Sequence, residues 1–339
     1  MPHAQPAPLG QTVDWVALVA KYSTPSLARS LWQVVNTILP FCGLWYLMYR
    51  SLDYSYWLTL ALAIPTSGLL ARIFIILHDC GHGSFFKSTT ANDLLGQFCG
   101  VLTFTPYFQW RHLHAIHHAT SGDLDRRGTG DIKTLTVREY LALTRWRRLG
   151  YRWYRSAFTV LLLSPLLTFL VVHRFVARKS GRRERIGVHL TNLALAAVLG
   201  CLGWLIGFQN LLLIQLPLCL ITFTAGVWLF YVQHQFEDTY WEQHQNWQYV
   251  PAAMRGSSYF RLPAVLQWFT GNIGFHHIHH LSPKIPNYNL PRAFAENPSF
   301  QQVTIITLWE SFRTISLKLW DEDQHRLVGF SRLNATPAG

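Results

Sequence analysis

The chain has 339 residues, half of them apolar, and only 14% are charged. An ordinary soluble domain carries about 25% charge, so the composition excludes a water-soluble globular protein and indicates an integral membrane protein. The formal net charge of +12 lies in loops between apolar runs, which reads as membrane orientation and not as a nucleic-acid surface.

Residues 1–30 show no basic start followed by a short apolar core and a small-residue cleavage site, so no removed signal peptide is expected. A helix needs about 20 apolar residues to cross roughly 30 Å of hydrocarbon. Leu31 to Arg50 and Tyr54 to Leu77 meet that need and form the first two expected spans. Leu94 to Trp110 is apolar but holds Gly96, Gly100 and Pro106. It is not expected to cross, because crossing would put the histidines before and after it on opposite membrane faces. Ser156 to His173 lies between two basic stretches, Arg111 to Arg155 and Arg174 to Arg185, and Pro165 interrupts it. It is expected to dip into the membrane and return, or to lie at the surface. The second basic stretch carries Arg174, Arg178, Lys179, Arg182, Arg183 and Arg185 against Glu184 alone, which assigns it to the cytoplasm. Ile186 to Phe236 contains no Asp, Glu, Lys or Arg. It is long enough for two spans, 186–206 and 211–233, broken near Gly207 to Asn210. The remainder is balanced in charge, and the tail after Arg332 is expected to fray.

The expected fold is therefore an all-α integral membrane protein of one domain, 1–339. Four transmembrane helices (31–50, 54–77, 186–206 and 211–233) form two hairpins. Re-entrant or interfacial helices and a cytoplasmic cap (78–185 and 234–339) complete it, with both termini inside. Cys42, Cys80, Cys99, Cys201 and Cys219 show no paired spacing and read as small buried hydrophobes.

Eight histidines fall in three boxes: His78/His82, His114/His117/His118 and His276/His279/His280. Residues three and four apart share one helical face, so each box can present imidazoles to one ion. The topology puts all three boxes on the same side. Eight ligands exceed the four of one zinc and suit two ions with open positions. Imidazole suits iron, copper, nickel and zinc, and oxygen chemistry on a C–H bond requires a redox-active metal. His234, at the end of the last span, is a ninth candidate ligand. His112 and His277 fall off the offset pattern and read as hydrogen-bonded neighbours. Metal-bound imidazoles hand their other N–H to a carboxylate or carbonyl. Asp79, Asp123, Asp125, Asp131, Glu237 and Asp238 are the carboxylates near enough in sequence to do this. No catalytic residue is expected beyond the metal ligands.

The wider wording around these boxes resembles the membrane fatty-acid desaturases. It runs HDCGHGSFF from His78, HAIHHATSGDLDRRGTGD from His114, FYVQHQFEDTYW from Phe230 and GNIGFHHIHHLSPKIPNY from Gly271. The nearest likeness is to bacterial acyl-lipid desaturases of the omega-6 and Bacillus types. The resemblance implies two Fe ions held by the eight box histidines, with His234 matching the family's extra histidine. It implies O2 as co-substrate, an external ferredoxin-like electron carrier, and a cis double bond placed in the acyl chain of a membrane lipid. It also implies a site facing the cytoplasm in a bacterial plasma membrane. Some relatives have an asparagine ligand four residues before the extra histidine, and that position is Phe230 here. The alternative within the same chemistry is a di-iron hydroxylase or ketolase acting on an alkane, sphingolipid or carotenoid. A metal transporter is the reading of another class, and it would place ligands near the bilayer midplane.

Overall fold

The structure, a computed structural model, describes residues 14–334. Among the described residues four helices have the length and apolarity to cross a membrane: α2 (Leu27–Ser51), α3 (Tyr56–His82), α9 (Arg182–Ile206) and α10 (Phe208–His234). At 1.5 Å per residue they are about 38–40 Å long, which exceeds the hydrocarbon core. Leu31, Trp32, Leu39, Leu193, Trp204 and Leu212 on them are exposed. Such a belt is stable against lipid and not against water.

Each span runs beyond its expected limits at one end or both, although α3 starts two residues later than expected, at Tyr56. Ser26 starts α2 by accepting the Arg29 N–H. α3 does not stop at Leu77, because nothing in His-Asp-Cys-Gly-His opposes a helix until Gly83 takes a left-handed cap at φ 63°. The first histidine box is thereby the last turn of a span. The break between α9 and α10 is a single residue, Gly207, at φ 87°. Pro40, Pro65 and Pro217 lie inside α2, α3 and α10, as membrane helices tolerate when neighbours meet the freed backbone groups.

α3 packs against α2, α4 and α10. α4 (Thr89–Leu102) and α5 (Tyr107–Thr120) form the helical hairpin of the stretch expected not to cross. At 14 residues each, they reach only about 21 Å. A Cβ on Gly96 would meet the Tyr107 ring at 2.3 Å, and one on Gly100 the Thr105 carbonyl at 2.4 Å. These glycines let α5 fold back tightly along α4. Asp93 on α4 ties the hairpin to its surroundings by ion pairs with Arg111 (3.0 Å) and Arg183 (2.5 Å).

The Pro165 segment differs from expectation. α7 (Arg145–Tyr154) is followed by a π turn over Thr159–Leu163, α8 (Ser164–Leu170) and a 3-10 turn over Val172–Arg174. Helix α7 and the Thr159–Arg174 run meet at 54°. The bend lies before Thr159, not at Pro165. Proline falls in the first turn of α8, where its missing N–H is needed least, and the π turn absorbs the change of register. Two short helices precede these in the chain: α1 (Trp15–Ala20) near the N-terminus and α6 (Val137–Ala142) before α7.

The structure is mostly helical, but the segments outside the four long helices within 78–185 and 234–339 (called the cap below) hold short strands that the all-α expectation did not include. β1 (Leu135–Thr136) pairs in parallel with β4 (Leu319–Asp321), which pairs antiparallel with β5 (Arg326–Val328). β2 (Tyr259–Arg261) pairs in parallel with β3 (Ile305–Thr307). Strands of two or three residues are too short to show a period-two pattern in sequence. Helices α11 (Tyr249–Arg255), α12 (Ala264–Phe269) and α13 (His276–Leu281) complete the part of the cap that meets the histidines. Arg155 is wholly buried and donates to Gln235 (2.8 Å), Thr134 (2.9 Å) and the Leu317 carbonyl (3.1 Å), fastening the cap to the end of α10. Cys80, Cys99 and Cys219 are buried as expected, but Cys42 and Cys201 are exposed on the outer faces of α2 and α9. The expectations for a signal segment and for the tail beyond Arg332 fall partly on residues 1–13 and 335–339, outside the described residues.

Gly207→Ala is expected to destabilise the protein by about 1–2 kcal/mol, the cost of a side chain in left-handed backbone. A Cβ there has only the Asn210 amide nearby, at 3.8 Å, so no clash adds to it. A lowered Tm in detergent checks this; an unchanged Tm would show that the break relaxes freely.

Candidate metal centre

The nine expected histidines converge on one region, where the ends of α3 and α10 meet α5 and α13. Ring nitrogens of His78, His82, His114, His118 and His279 all lie within 4.8 Å of one another, and so do those of His117, His234 and His280. The His276 Nε2 joins the second group, 2.9 Å from that of His234 and 3.1 Å from that of His280. The two groups touch: the rings of His118 and His280 stack 4.1 Å apart at 15°.

Helical spacing produces this division. α3 presents its i,i+4 pair, His78 and His82, to the first group. α5 presents the pair His114 and His118 to the same group, and His117 turns to the second. α13 does the reverse: its pair, His276 and His280, belongs to the second group and His279 to the first. One helical residue is a rotation of about 100°, so adjacent histidines on one helix must serve different centres.

The donor set fits two cations. Nε2 atoms face each other at 3.2 Å (His117–His234), 3.2 Å (His114–His118), 3.0 Å (His118–His279) and 2.9 Å (His234–His276). Ligands at about 2.1 Å from one metal stand about 3.0–3.4 Å apart. The His82 Nε2 is buried without a hydrogen-bond partner. The Nδ1 of His234 faces the Gly256 carbonyl at 3.3 Å. That contact holds its proton on Nδ1 and leaves an Nε2 lone pair facing two other rings. Burial, and then neighbouring imidazoles, push His114, His118, His279 and His280 well below the ordinary histidine range. Their neutral rings keep a lone pair for a metal.

Of the expected carboxylates, Asp79 alone hydrogen-bonds one of the nine rings among the described residues. Its Oδ1 is 3.2 Å from His78 Nδ1, and its Oδ2 accepts from the backbone and side-chain nitrogens of Asn287 at 2.7 and 2.8 Å. Asp123 and Asp125 serve His244 instead: Asp123 Oδ2 is 2.7 Å from its Nδ1, and Asp125 accepts its backbone N–H. Asp131 accepts from the Gly128 N–H, Glu237 pairs with Arg326, and Asp238 is exposed. The loop after the second box turns away at Gly122, φ 76°, and carries its acids with it. His277 points away from the metal groups, its Nε2 2.9 Å from the Phe300 carbonyl, and His112 is exposed.

Two contributors escaped the sequence reading. Asn287 lies near the end of the wording quoted for the third box, but nothing there pointed to Asp79, from which most of the chain separates it. Trp110 stacks on His114 at 4.5 Å and 20°; its place four residues before His114, on the same face, was a usable clue. Phe230 stands one turn before His234 with its ring 5.1 Å from that of His117, an apolar wall at the position discussed above.

A cavity of about 250 Å³ reaches the histidines at His78, His114 and His276. Its walls are otherwise mostly apolar, including Phe74 and Ile75 of α3, Phe169 of α8, and Phe223 and Val227 of α10. A neighbouring cavity of about 310 Å³ shares Trp110, His114, Gly130, Thr168 and His173 with it.

Fold and site thus define a helical membrane protein with a histidine cluster able to hold two metal ions beside an apolar slot. The sequence profile described as fatty acid desaturase matches residues 55–309. A Bacillus subtilis protein named fatty acid desaturase is 51% identical over 319 residues, covering 94% of this chain and 91% of that protein. Two Synechocystis proteins are each 27% identical. One, named sn-1 acyl-lipid omega-3 desaturase (ferredoxin), aligns over 66% of this chain and 63% of its own length. The other, named sn-1 oleoyl-lipid 12-desaturase, aligns over 71% and 69%. The chain belongs to the fatty acid desaturase family and is an oxidoreductase.

Asp79→Asn removes the charge that orients His78, and loss of such a partner typically costs 10–100-fold in metal affinity or activity. A drop of about that size is expected in metal titration of the folded variant. Asp123→Asn, acting on His244, should leave metal content at the wild-type level.

Proposed function

We propose that the protein is an acyl-lipid desaturase that introduces a cis double bond into a membrane-embedded acyl chain, using O2 and electrons from a ferredoxin-like carrier. The observation that carries this reading is the meeting of two histidine groups with one apolar slot. His78, His82, His114, His118 and His279 would hold one iron, and His117, His234, His276 and His280 the other. Bound iron would supply the activation of dioxygen and the removal of hydrogen from unactivated methylenes, which no side chain here can do. The electron balance is that of a desaturation. Two electrons come from the broken C–H bonds, two from the carrier, and O2 leaves as two waters.

The chain's own residues supply geometry. Phe74, Ile75, Phe223 and Val227 line an apolar channel that takes an alkyl chain and excludes water. The slot is slightly smaller than the about 300–1,000 Å³ of drug-sized sites, which suits one narrow chain. Asp79 holds the His78 Nδ1 proton so that Nε2 stays free for metal. The +12 charge and the Arg174–Arg185 stretch support an orientation with the histidines at the cytoplasmic face of a bacterial plasma membrane. A soluble carrier reaches them there. Two cyanobacterial relatives carry ferredoxin in their names, which supports that class of donor. On this reading the four spans form two hairpins under one cytoplasmic cap; the close packing of α2 on α3 and of α9 on α10 supports the hairpins.

Expression in a host that makes only saturated lipids, followed by gas chromatography of its acyl chains, is expected to yield cis-unsaturated products. His279→Ala should abolish them while the protein remains folded. Hydroxylated chains in place of olefins would overturn the reaction assigned. For orientation, protease should cut within residues 178–185 in inverted vesicles and spare them in right-side-out ones; the opposite pattern would overturn it.

A further inference from the structure

Most helical glycines here have a packing reason. A Cβ on Gly68 would meet the Phe269 ring at 2.7 Å, one on Gly81 the Trp110 ring at 2.9 Å, and one on Gly203 the Phe208 ring at 2.3 Å. Gly226 has none. It lies inside α10 with ordinary helical backbone, and a Cβ there would meet no atom within 4 Å. Gly43, Gly150 and Gly200 are equally unhindered, but they line neither cavity. A glycine in a helix interior costs stability relative to alanine. One that no neighbour requires, and that faces a cavity, marks space kept for a ligand.

The space belongs to the slot. α10 lines it with Thr222, Phe223, Gly226, Val227, Phe230 and Gln233 among others, a stripe at helical spacing. Gly226 stands eight residues before His234, about 12 Å along the helix from the level of the histidines. Thr222 and Phe223 lie about one turn deeper, where Phe223 stacks on Phe169 at 4.4 Å. The opposite wall is Ala71, Phe74 and Ile75. A side chain at 226 would therefore project into the channel between the histidines and its deep end. That end is lined by hydrocarbon, threonine and the half-buried His173 beside Phe169; among the described residues no Asp, Glu, Lys or Arg lines it to meet a headgroup, so it suits the methyl end of an acyl chain.

We propose that Gly226 determines specificity: its missing side chain sets how much methyl-terminal chain passes below the metal centre, and so which chain lengths are desaturated. This rests on the desaturase reading above. A longer residue at 226 shortens the channel by closing off the pocket beside Phe223.

The test compares wild type, Gly226→Ala, Gly226→Leu and the control Ala225→Leu, whose added bulk lies on the exposed neighbouring position. Each is expressed in a host supplied with myristoyl, palmitoyl and stearoyl chains. Unsaturated products are quantified, together with iron content and Tm of the purified proteins. Gly226→Leu is expected to shift the stearoyl-to-myristoyl product ratio by about tenfold or more, the size of one mismatched group in an apolar pocket. Gly226→Ala should fall between it and wild type, and Ala225→Leu should match wild type. Iron content and Tm should not fall. An unshifted ratio in Gly226→Leu overturns the assignment, as does an equal loss at all three lengths with iron retained, or an equal shift in Ala225→Leu. A wild type that makes no unsaturated chain overturns the desaturase reading itself, and this inference with it.

Discussion

The structure depends on the need to gather nine imidazoles, seven of them buried and two half-buried, with ring nitrogens turned toward one another. Facing nitrogens stand 2.9–3.2 Å apart. Neutral rings can share only one proton per contact, and the His234 ring spends its own on Gly256. A cluster so poor in protons and so deeply buried is costly without cations. Held around two metals, the same arrangement becomes coordination, and metal binding adds to folding stability. Family membership and geometry therefore point to the same chemistry by separate routes.

That requirement dictates much of the scaffold. Ligands must come from rigid elements at a common level, so α3 and α10 deliver theirs from their final turns. The second box must return to the level of the first without crossing the membrane. Gly96 and Gly100 permit that return by letting α5 lie against α4 at distances that a Cβ would forbid. The third box needs a six-residue helix, α13, aimed from a loop in which Gly274 passes within 2.3 Å (measured to an added Cβ) of the Phe260 carbonyl. Asp79 and Asn287 then join the first and third boxes through one carboxylate.

The slot follows from the same packing. Near the histidines, Phe74 of α3, Phe223 and Phe230 of α10 and Phe169 of α8 line a gap. The gap between them is continuous with the metal region and mostly apolar elsewhere, which suits a substrate that is itself part of the bilayer. Arg155 shows the opposite solution. It is a wholly buried cation whose two terminal nitrogens donate to neutral oxygens from the cap and from the end of α10, with no carboxylate partner among the described residues. Such a clamp keeps His234 level with the boxes.

What the sequence alone determined was whatever is local or periodic. Apolar length marked all four spans, the stretch Gly207 to Asn210 marked the break between the last two, and the three- and four-residue histidine offsets marked which side chains share a helical face. What tertiary structure alone decided was whatever depends on pairs distant in the chain. Asp79 rather than Asp123 supports a ring of the metal cluster, because Asn287 fixes the first and Gly122 turns the second toward His244. The strands of the cap were too short to leave a pattern, and Pro165 did not bend its segment because a π turn before it placed proline at a helix start. The division of nine histidines into two groups needed the relative rotation of α5 and α13. Helical periodicity sets which residues lie on one face, but only packing sets which way that face looks.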